Sequence, residues 1–195
     1  MILRPDLAAI AEVVPVGARV LDVGCGDGAL MAALRDGKGV DARGIELSRE
    51  GVSAAVARGL SVVQGDADTD LCDYPTDAFD YAILSQTLQA TRAPDQVLDQ
   101  LLRIGRHAIV SFPNFAYWRV RLSLMFAGRM PTTHALPASW YETENIHFCT
   151  IDDFRALIET KRLTVERERF LSHGRPRGAA LANLMAEQAI FVLRR

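Results

Sequence analysis

Short apolar runs alternate with amphipathic segments along most of the chain. Residues 19–23 form the first such run, Arg-Val-Leu-Asp-Val, and glycines close it, as is typical of a buried strand. The next segment has a helical pattern, and the alternation repeats with helical segments of about ten residues. Strands that alternate with helices of this length indicate βαβ units. We therefore predict a parallel sheet whose two faces are covered by helices.

The pattern assigns elements to most of the chain. Strands are expected at residues 19–23, 40–46, 61–65, 79–85, 107–112, 163–170 and 189–193. Helices are expected at residues 6–14, 29–35, 49–58, 94–104 and 150–161, and Thr150 starts the last one with a capping-box-like sequence. Residues 113–148 break the rhythm and are interpreted as an insertion after the fifth strand, and residues 172–177 as a surface loop. Residues 1–195 are expected to form a single domain.

The insertion combines aromatic residues with arginines. Its large apolar residues have mostly helical spacing; they are Phe115, Trp118, Leu122, Met125 and Phe126. Three interpretations remain open: a helix that covers a ligand cleft, a surface for a protein partner, or a helix on a membrane surface. The covering helix is favoured as the commonest explanation of such a segment. The few lysines and the acidic overall balance weaken the membrane interpretation.

Composition and charge limit the function. Lysine and arginine total 22 against 24 aspartates and glutamates, a net charge of −2, which argues against nucleic-acid binding. Cys25, Cys72 and Cys149 are too few and too far apart for a disulfide framework or a metal cluster, so no metal is expected. The chain shows neither a signal-peptide pattern nor an apolar run that could span a membrane, so a cytoplasmic protein is predicted.

A glycine-rich loop follows the first predicted strand. Gly24, Gly26 and Gly28 stand at alternate positions, and a helix begins directly after them. Glycine allows the backbone to approach a ligand closely and to adopt positive φ. The amino terminus of the helix is expected to supply free N–H donors for an anionic group. The alternative is a tight strand–helix turn without a ligand.

Acidic residues mark the ends of three successive strands, which strengthens the binding interpretation. Asp22 lies in the first strand, Glu46 ends the second, and Asp66 follows the third. At the carboxyl edge of an open sheet, Glu46 could accept hydrogen bonds from ribose hydroxyls, and Asp66 from an adenine amine beside the Ala67 N–H. The loop departs from the G-x-G-x-x-G dinucleotide pattern, and Asp22 would repel a pyrophosphate but suits an ammonium group. Solvated strand ends remain the alternative for each acid taken singly.

The motifs carry a family resemblance. DVGCGDG, GIE, GDAD and DAFDYAILS resemble the successive motifs of class I methyltransferases. Longer strings, among them FDYAILSQTLQATRAP, GRMPTTHALPASWYETENIHFCTIDDF and LANLMAEQAIFVLRR, resemble the MetW family over nearly the whole chain. The resemblance implies an α/β, Rossmann-like, seven-stranded and mostly parallel sheet, and a role in methionine biosynthesis. It also implies a partner, homoserine O-acyltransferase, which is an α/β-hydrolase-fold enzyme.

The resemblance further implies S-adenosylmethionine or S-adenosylhomocysteine as the cofactor. Carried over by motif, the contacts fall on Asp22, Gly24, Gly26, Glu46, Asp66, Ala67, Ser85 and Gln86. The neighbouring Cys25, Gly28 and Leu47 complete the predicted set. Cys25 is interpreted as a small residue of the loop rather than a nucleophile, because no base is evidently paired with it.

Catalysis by this chain alone is in doubt. Many small-molecule methyltransferases carry an acid–histidine pair just after the fourth strand, where this chain has Gln89 and Ala90. His147 is the best remaining candidate base, although a packing or capping role before the helix at Thr150 is favoured. The residues predict a cofactor-binding protein, and the family resemblance implies that it is an accessory protein of the acyltransferase. An active methyltransferase on a small molecule and a scaffold with a vestigial site are the alternatives, and self-association remains open.

Overall fold

The apolar runs form one eight-stranded sheet in the computed structural model, which describes residues 3–195. The strands are β1 (Arg19–Val23), β2 (Asp41–Glu46), β3 (Ser61–Gln64), β4 (Phe79–Ser85), β5 (Gly105–Pro113), β6 (Thr164–Ser172), β7 (Arg175–Arg177) and β8 (Gln188–Arg194). The helices are α1 (Pro5–Val13), α2 (Ala29–Lys38), α3 (Arg49–Ala57), α4 (Pro94–Ile104), α5 (Trp118–Leu122), α6 (Ile151–Thr160) and α7 (Ala182–Met185). Short 3-10 helices lie at Asp70–Asp73 and Leu88–Ala90, and α5 continues into a π-helical turn at Ser123–Ala127.

The strand order places a switch point in the middle of the sheet. The order is β3-β2-β1-β4-β5-β8-β6-β7, in which β1 to β5 are parallel and β8, β6 and β7 are antiparallel to their neighbours. The chain moves outwards from β1 to β3 on one side and then crosses to β4 on the other side. Open α/β sheets bind ligands at such a point, outside the carboxyl ends of the strands.

Helices cover both faces of the sheet, which confirms the predicted architecture. On one face, α6 contributes Phe154, whose ring lies 4.8 Å from that of Phe112 and 5.0 Å from that of Phe191. On the other face, Ile10 of α1 and Leu34 of α2 pack against the central strands. All five side chains are buried, and each such burial stabilises the fold by roughly 1.5–3 kcal/mol. The strand ends therefore project from a rigid platform.

The eighth strand corrects the prediction for residues 172–177. This segment was expected to be a loop, but Ser172 pairs with Arg175 across a two-residue turn. His173 (φ 50°) and Gly174 (φ 71°) both have positive φ, which is the geometry of a type I′ hairpin. The sheet therefore has eight strands where seven were expected.

The insertion contains little regular structure apart from α5 and its π-helical extension. Tyr117, Val120 and Leu136 form a small buried cluster of their own. None of the five residues in Ser123–Ala127 is buried. No helix within residues 3–195 has both the length and the apolar character needed to cross a membrane.

Candidate functional site

Two adjoining cavities open at the carboxyl ends of β1 and β4. The first cavity, of about 450 Å³, also touches the ends of β2 and β3, and the second, of about 330 Å³, lies beside the glycine loop. Glu46, Leu47, Asp66 and Ala67 line the first cavity, Asp22, Cys25, Gly26 and Ser85 line the second, and Gly24 and Gln86 line both. These ten residues are all members of the predicted cofactor set. Its eleventh member, Gly28, lies outside both linings.

The backbone donors of the glycine loop are already used within the protein. The Gly24 N–H donates to the Ile45 carbonyl oxygen at 2.8 Å, and the Gly26 N–H to Glu46 Oε2 at 2.8 Å. The Gly28 N–H closes a turn inside the loop at 3.0 Å. None of these three N–H groups is therefore free for an anionic group. At the start of α2, the Ala29 N–H donates to Asp27 Oδ1 at 3.1 Å, and free donors from the following N–H groups of the helix stay a prediction. A site without these donors is poorly suited to a pyrophosphate.

The three glycines have different steric surroundings. All three have positive φ (69°, 54° and 73° in chain order). A Cβ on Gly28 would lie 2.3 Å from Leu60, and one on Gly24 would lie 2.6 Å from Thr87. Nothing stands within 4 Å of a Cβ on Gly26, which lines the second cavity. Gly28 thus serves helix–strand packing, whereas Gly26 keeps the cavity open.

Asp22 is a buried carboxyl group that faces the second cavity. Its exposed fraction is 2%, and it accepts no hydrogen bond from any side chain or backbone group of residues 3–195. Burial and the negative charge of Glu46 raise its pKa to about 7, and Arg4 opposes this increase. A ligand ammonium group would supply both the missing hydrogen bonds and the missing positive charge.

Glu46 is held firmly at the end of β2. Its Oε1 accepts the Ser48 N–H at 2.8 Å, while Oε2 accepts the Gly26 N–H. Each carboxylate oxygen has a second lone pair that can accept another donor. Leu47, with an exposed fraction of 63%, stands beside it on the wall of the first cavity. This edge therefore offers an acceptor for hydroxyl groups next to an apolar surface.

The acidic loop after β3 orients Asp66. Asp66 Oδ1 accepts the Asp68 N–H at 2.9 Å, and the Asp66 N–H donates to Asp70 Oδ2 at 2.9 Å. Asp68 in turn accepts the backbone N–H groups of Arg92 and Ala93 at 2.9–3.1 Å, which ties the loop to the start of α4. Asp66 is left with one oxygen 3.7 Å from the Arg92 guanidinium.

A polar chain connects α1 to the end of β4. Asp6, with an exposed fraction of 2%, pairs with Arg4 at 3.0 Å and accepts a hydrogen bond from Ser85 Oγ at 3.4 Å. Ser85 Oγ also lies 3.1 Å from Ser111 Oγ. Gln86 follows with φ 56°, and its Nε2 is buried without a hydrogen-bond partner among residues 3–195.

Several residues of the linings escaped sequence reasoning. They are Arg4, Thr87, Arg92 and Glu144. Arg4 precedes α1 and Glu144 belongs to the insertion, so both reach the site only through the tertiary fold. Thr87 and Arg92 follow β4, beyond the Ser85–Gln86 edge that the motif marked. Residues 115–130, which were expected to cover the cleft, line neither cavity, so that interpretation is wrong.

A third cavity of about 420 Å³ adjoins the other two at Gln86. Gln89 lies on its wall with an exposed fraction of 3%, and its Nε2 donates to the Gln86 carbonyl oxygen at 2.7 Å. His134 and Glu144 also line it. The third cavity could therefore hold a second small molecule beside the first ligand.

His147 lies outside the linings of these three cavities. Its side chain is exposed, and its backbone N–H donates to the Gln89 carbonyl oxygen at 3.0 Å. The capping role that was favoured for it belongs to Thr150, whose side chain accepts the Asp153 N–H while Asp153 accepts the Thr150 N–H. His147 therefore neither caps α6 nor stands where a catalytic base is needed.

The thiols of the buried Cys25 and the half-buried Cys149 are poor nucleophiles. Burial, reinforced by the charges of Asp22 and Glu46, raises the pKa of Cys25 to about 12. Burial and the nearby Asp153 raise the pKa of Cys149 to about 12. Both thiols are neutral at physiological pH, in agreement with the interpretation of Cys25 as a small residue of the loop rather than a nucleophile.

Solved structures show which class of fold this is. An S-adenosylmethionine-dependent methyltransferase from Mesorhizobium loti superposes with a TM-score of 0.72 and 17% identity, covering 98% of both chains. A SAM-dependent methyltransferase from Archaeoglobus fulgidus superposes with a TM-score of 0.71 and 13% identity, covering 97% of this chain and 92% of the other. The fold is that of the Rossmann-like class I methyltransferases.

Sequence comparison identifies the family. The profile described as "Methionine biosynthesis protein MetW" matches residues 4–193, and the chain belongs to the MetW family. The "Bifunctional methionine biosynthesis protein MetXA/MetW" of Rhodopirellula baltica is 38% identical over 177 residues, which are 86% of this chain. The chain spans 28% of the length of that relative.

Proposed function

We propose that this chain binds S-adenosylmethionine or S-adenosylhomocysteine across the first and second cavities. The observation that carries the proposal is the buried Asp22 carboxyl, which lacks a hydrogen bond from residues 3–195 and faces the second cavity. A buried carboxylate without a partner is costly, and the ammonium group of the ligand would remove that cost.

The remaining polar groups fit the other parts of this ligand. Glu46 would accept from the ribose hydroxyls, and Asp66 with the Ala67 N–H would face the adenine edge. Leu47 would pack against the base. A dinucleotide fits less well, because the loop N–H groups that would bind its phosphates already donate to Ile45 and Glu46.

Calorimetric titration of the purified chain with S-adenosylmethionine and S-adenosylhomocysteine tests this binding. We expect one site per chain for at least one of them, and no binding of NAD. Absence of heat with both ligands, from a protein that melts cooperatively, would remove the cofactor from the proposal.

We further propose that the chain is an accessory subunit of homoserine O-acyltransferase in methionine biosynthesis. The family match supports the pathway, and the relative named MetXA/MetW carries two methionine-biosynthesis parts in one polypeptide. We infer that the MetXA part is the acyltransferase implied by the family resemblance. Fusion of two proteins holds both at a high effective concentration, which favours partners that work together.

The rate of homoserine acylation by the cognate acyltransferase, with and without this chain, tests the accessory role. We expect acylation to increase when the chain is added, and the increase to change when S-adenosylmethionine or S-adenosylhomocysteine is present. A cofactor that binds the free chain and the complex with different affinities must, by linkage, alter complex formation. An unchanged rate together with no complex would refute the accessory role.

The third cavity favours a second candidate function, methyl transfer to a small acceptor. S-adenosylmethionine, when bound, supplies an electrophilic methyl group, and the third cavity adjoins the proposed site at Gln86 with His134 on its wall. Methyl transfer from a labelled donor to metabolites of a cell extract tests this candidate. Transfer that His134→Ala abolishes, while cofactor affinity stays unchanged, would establish it.

A further inference from the structure

The insertion presents a large apolar surface that the rest of the chain leaves uncovered. Of fifteen exposed large hydrophobic residues among residues 3–195, nine lie between positions 122 and 148. They are Leu122, Leu124, Met125, Phe126, Met130, Trp140, Tyr141, Ile146 and Phe148, called the insertion patch below. Phe126, Trp140 and Met125 have exposed fractions of 78%, 74% and 72%. Aromatic residues and methionine are the types enriched at protein interfaces.

Part of the insertion patch is helical although it buries no side chain. Ser123–Ala127 forms a π-helical turn without a single buried residue, and Gly128 ends it with φ 61°. A short helical segment gains little stability by itself and normally depends on burying an apolar face. Here that face is turned outwards, so the surface of another molecule could supply contacts that the rest of the chain does not.

A groove lies within the insertion patch. It measures about 220 Å³ and is lined mainly by apolar side chains, including Phe115, Leu136, Trp140 and Phe148. This volume is below the roughly 300–1,000 Å³ typical of small-molecule sites. An apolar side chain of a partner protein suits it better than a metabolite.

The charged residues near the insertion patch indicate which kind of partner surface would fit it. Residues 113–141, which include α5 and its extension, contain three arginines and no acidic residue, whereas Glu142 and Glu144 follow towards the end of the insertion. Arg119 lies over the Trp118 ring at 5.3 Å, and Arg121 Nε donates to the Ala116 carbonyl oxygen at 2.6 Å. Neither Arg119 nor Arg129 forms an ion pair with another residue in the range 3–195. A partner surface that is complementary to α5 and its extension is therefore apolar with carboxylates around it.

The same charges disfavour two other occupants. A two-fold contact between two copies of this chain, centred on α5 and its extension, would bring arginines against arginines. An anionic membrane would attract the arginines, but it would repel Glu142 and Glu144 and a chain whose net charge is −2.

We propose that the insertion patch is the surface on which homoserine O-acyltransferase docks. This inference rests on the accessory role proposed above and adds the location of the contact and the chemistry of the partner. The acyltransferase surface would offer an apolar recess bordered by aspartates and glutamates. The patch stands apart from the first two cavities, to which the insertion contributes only Glu144.

Binding of the full chain to the purified acyltransferase tests the inference by calorimetry and light scattering. Phe126→Glu places a charge in the patch, and Val16→Glu makes the same change at an apolar residue that is 80% exposed elsewhere. We expect Phe126→Glu to weaken the complex at least thirty-fold, as for a central interface residue, and Val16→Glu to leave it unchanged. Arg129→Glu should slow association and reduce its salt dependence.

The outcomes separate the inference from the accessory role. A wild-type complex that Phe126→Glu leaves intact would overturn the docking surface alone. No wild-type complex at all would overturn both. Doubling of the mass of the free chain, abolished by Phe126→Glu, would assign the patch to a second copy. Binding to vesicles with anionic lipids, abolished by the same change, would assign it to a membrane. Unchanged cofactor binding by each variant shows that the fold is intact.

Discussion

Asp22 combines two opposing roles at the residue scale. Its carboxyl is buried beside Glu46 and has a pKa of about 7, so the free protein loses stability when it ionises. The same ionised carboxyl is what an ammonium ligand requires. In the proposed site, the residue would thus exchange stability of the free chain for ligand recognition, as functional sites often do.

Asp22→Asn should therefore stabilise the free protein at alkaline pH while weakening ligand binding. The pKa of Asp22 is about 7 in the folded protein and 3.8 as its ordinary value. The contribution of protonated Asp22 to the free energy of unfolding is therefore complete below about pH 4 and is lost as the pH rises through 7. At pH 8 the variant should gain up to about 4 kcal/mol in free energy of unfolding, measured by urea denaturation. A variant less stable than wild type at pH 8 would contradict this.

The affinity of the wild type for S-adenosylmethionine should depend on the same proton. Because only ionised Asp22 pairs with the ammonium group, affinity should increase about tenfold between about pH 6 and pH 8. Asp22→Asn should bind about ten- to hundred-fold more weakly at pH 8, because it removes a hydrogen bond between charged groups. Its affinity should no longer vary with pH, and calorimetry across this range checks both statements.

Two glycines of the loop offer a matched comparison. Gly28→Ala introduces a Cβ 2.3 Å from Leu60 at φ 73°, and it should cost about 3 kcal/mol of stability through strain and overpacking. Gly26→Ala meets no atom within 4 Å, so it should cost about 1–2 kcal/mol for positive φ and act mainly on ligand affinity. Thermal melting and titration of both variants distinguish a packing glycine from a cavity glycine. Equal stability losses would count against the distinction.

At the scale of single elements, the sequence predicted the features that depend on residues close together in the chain. Thr150 starts α6 as expected, because its capping box depends only on residues three positions apart. The β7 hairpin was missed because a histidine occupies the first turn position, where asparagine or glycine would have signalled a type I′ turn. Ten residues of the two cavity linings were predicted because they lie at or next to strand ends. Arg4 and Glu144 were missed because only tertiary folding brings them there.

The capping box of α6 can be measured against a control in the same helix. Thr150→Ala removes the acceptor for the Asp153 N–H and should lower stability by about 1 kcal/mol. Thr160→Ala removes a hydroxyl that only donates back to the Ala156 carbonyl oxygen, and it should change stability by less than about 0.5 kcal/mol. Chemical denaturation of both variants provides the comparison, and similar losses would refute a capping contribution.

At the scale of the whole molecule, some large apolar residues are buried in the core and others are exposed in the insertion patch. Phe154 joins α6 to the sheet with an exposed fraction of 1%, whereas Phe126 in the insertion patch is 78% exposed. Phe154→Ala should therefore lower the free energy of unfolding by about 3–5 kcal/mol. Phe126→Ala should change it by less than about 0.5 kcal/mol, as for other surface positions. A large stability loss for Phe126→Ala would mean that the patch belongs to the core of the free chain.

The shape of the sheet has a consequence for how copies of this molecule meet one another. One outer strand, β7, is three residues long and reads Arg-Pro-Arg, and the other, β3, is four residues long. Proline lacks the N–H that a further strand would need, and arginines repel an approaching copy. Neither border can readily serve as a template for cross-β growth. Contacts through the side chains of the insertion patch do not add strands to the sheet. The chain can therefore expose this apolar patch without being prone to form fibrils.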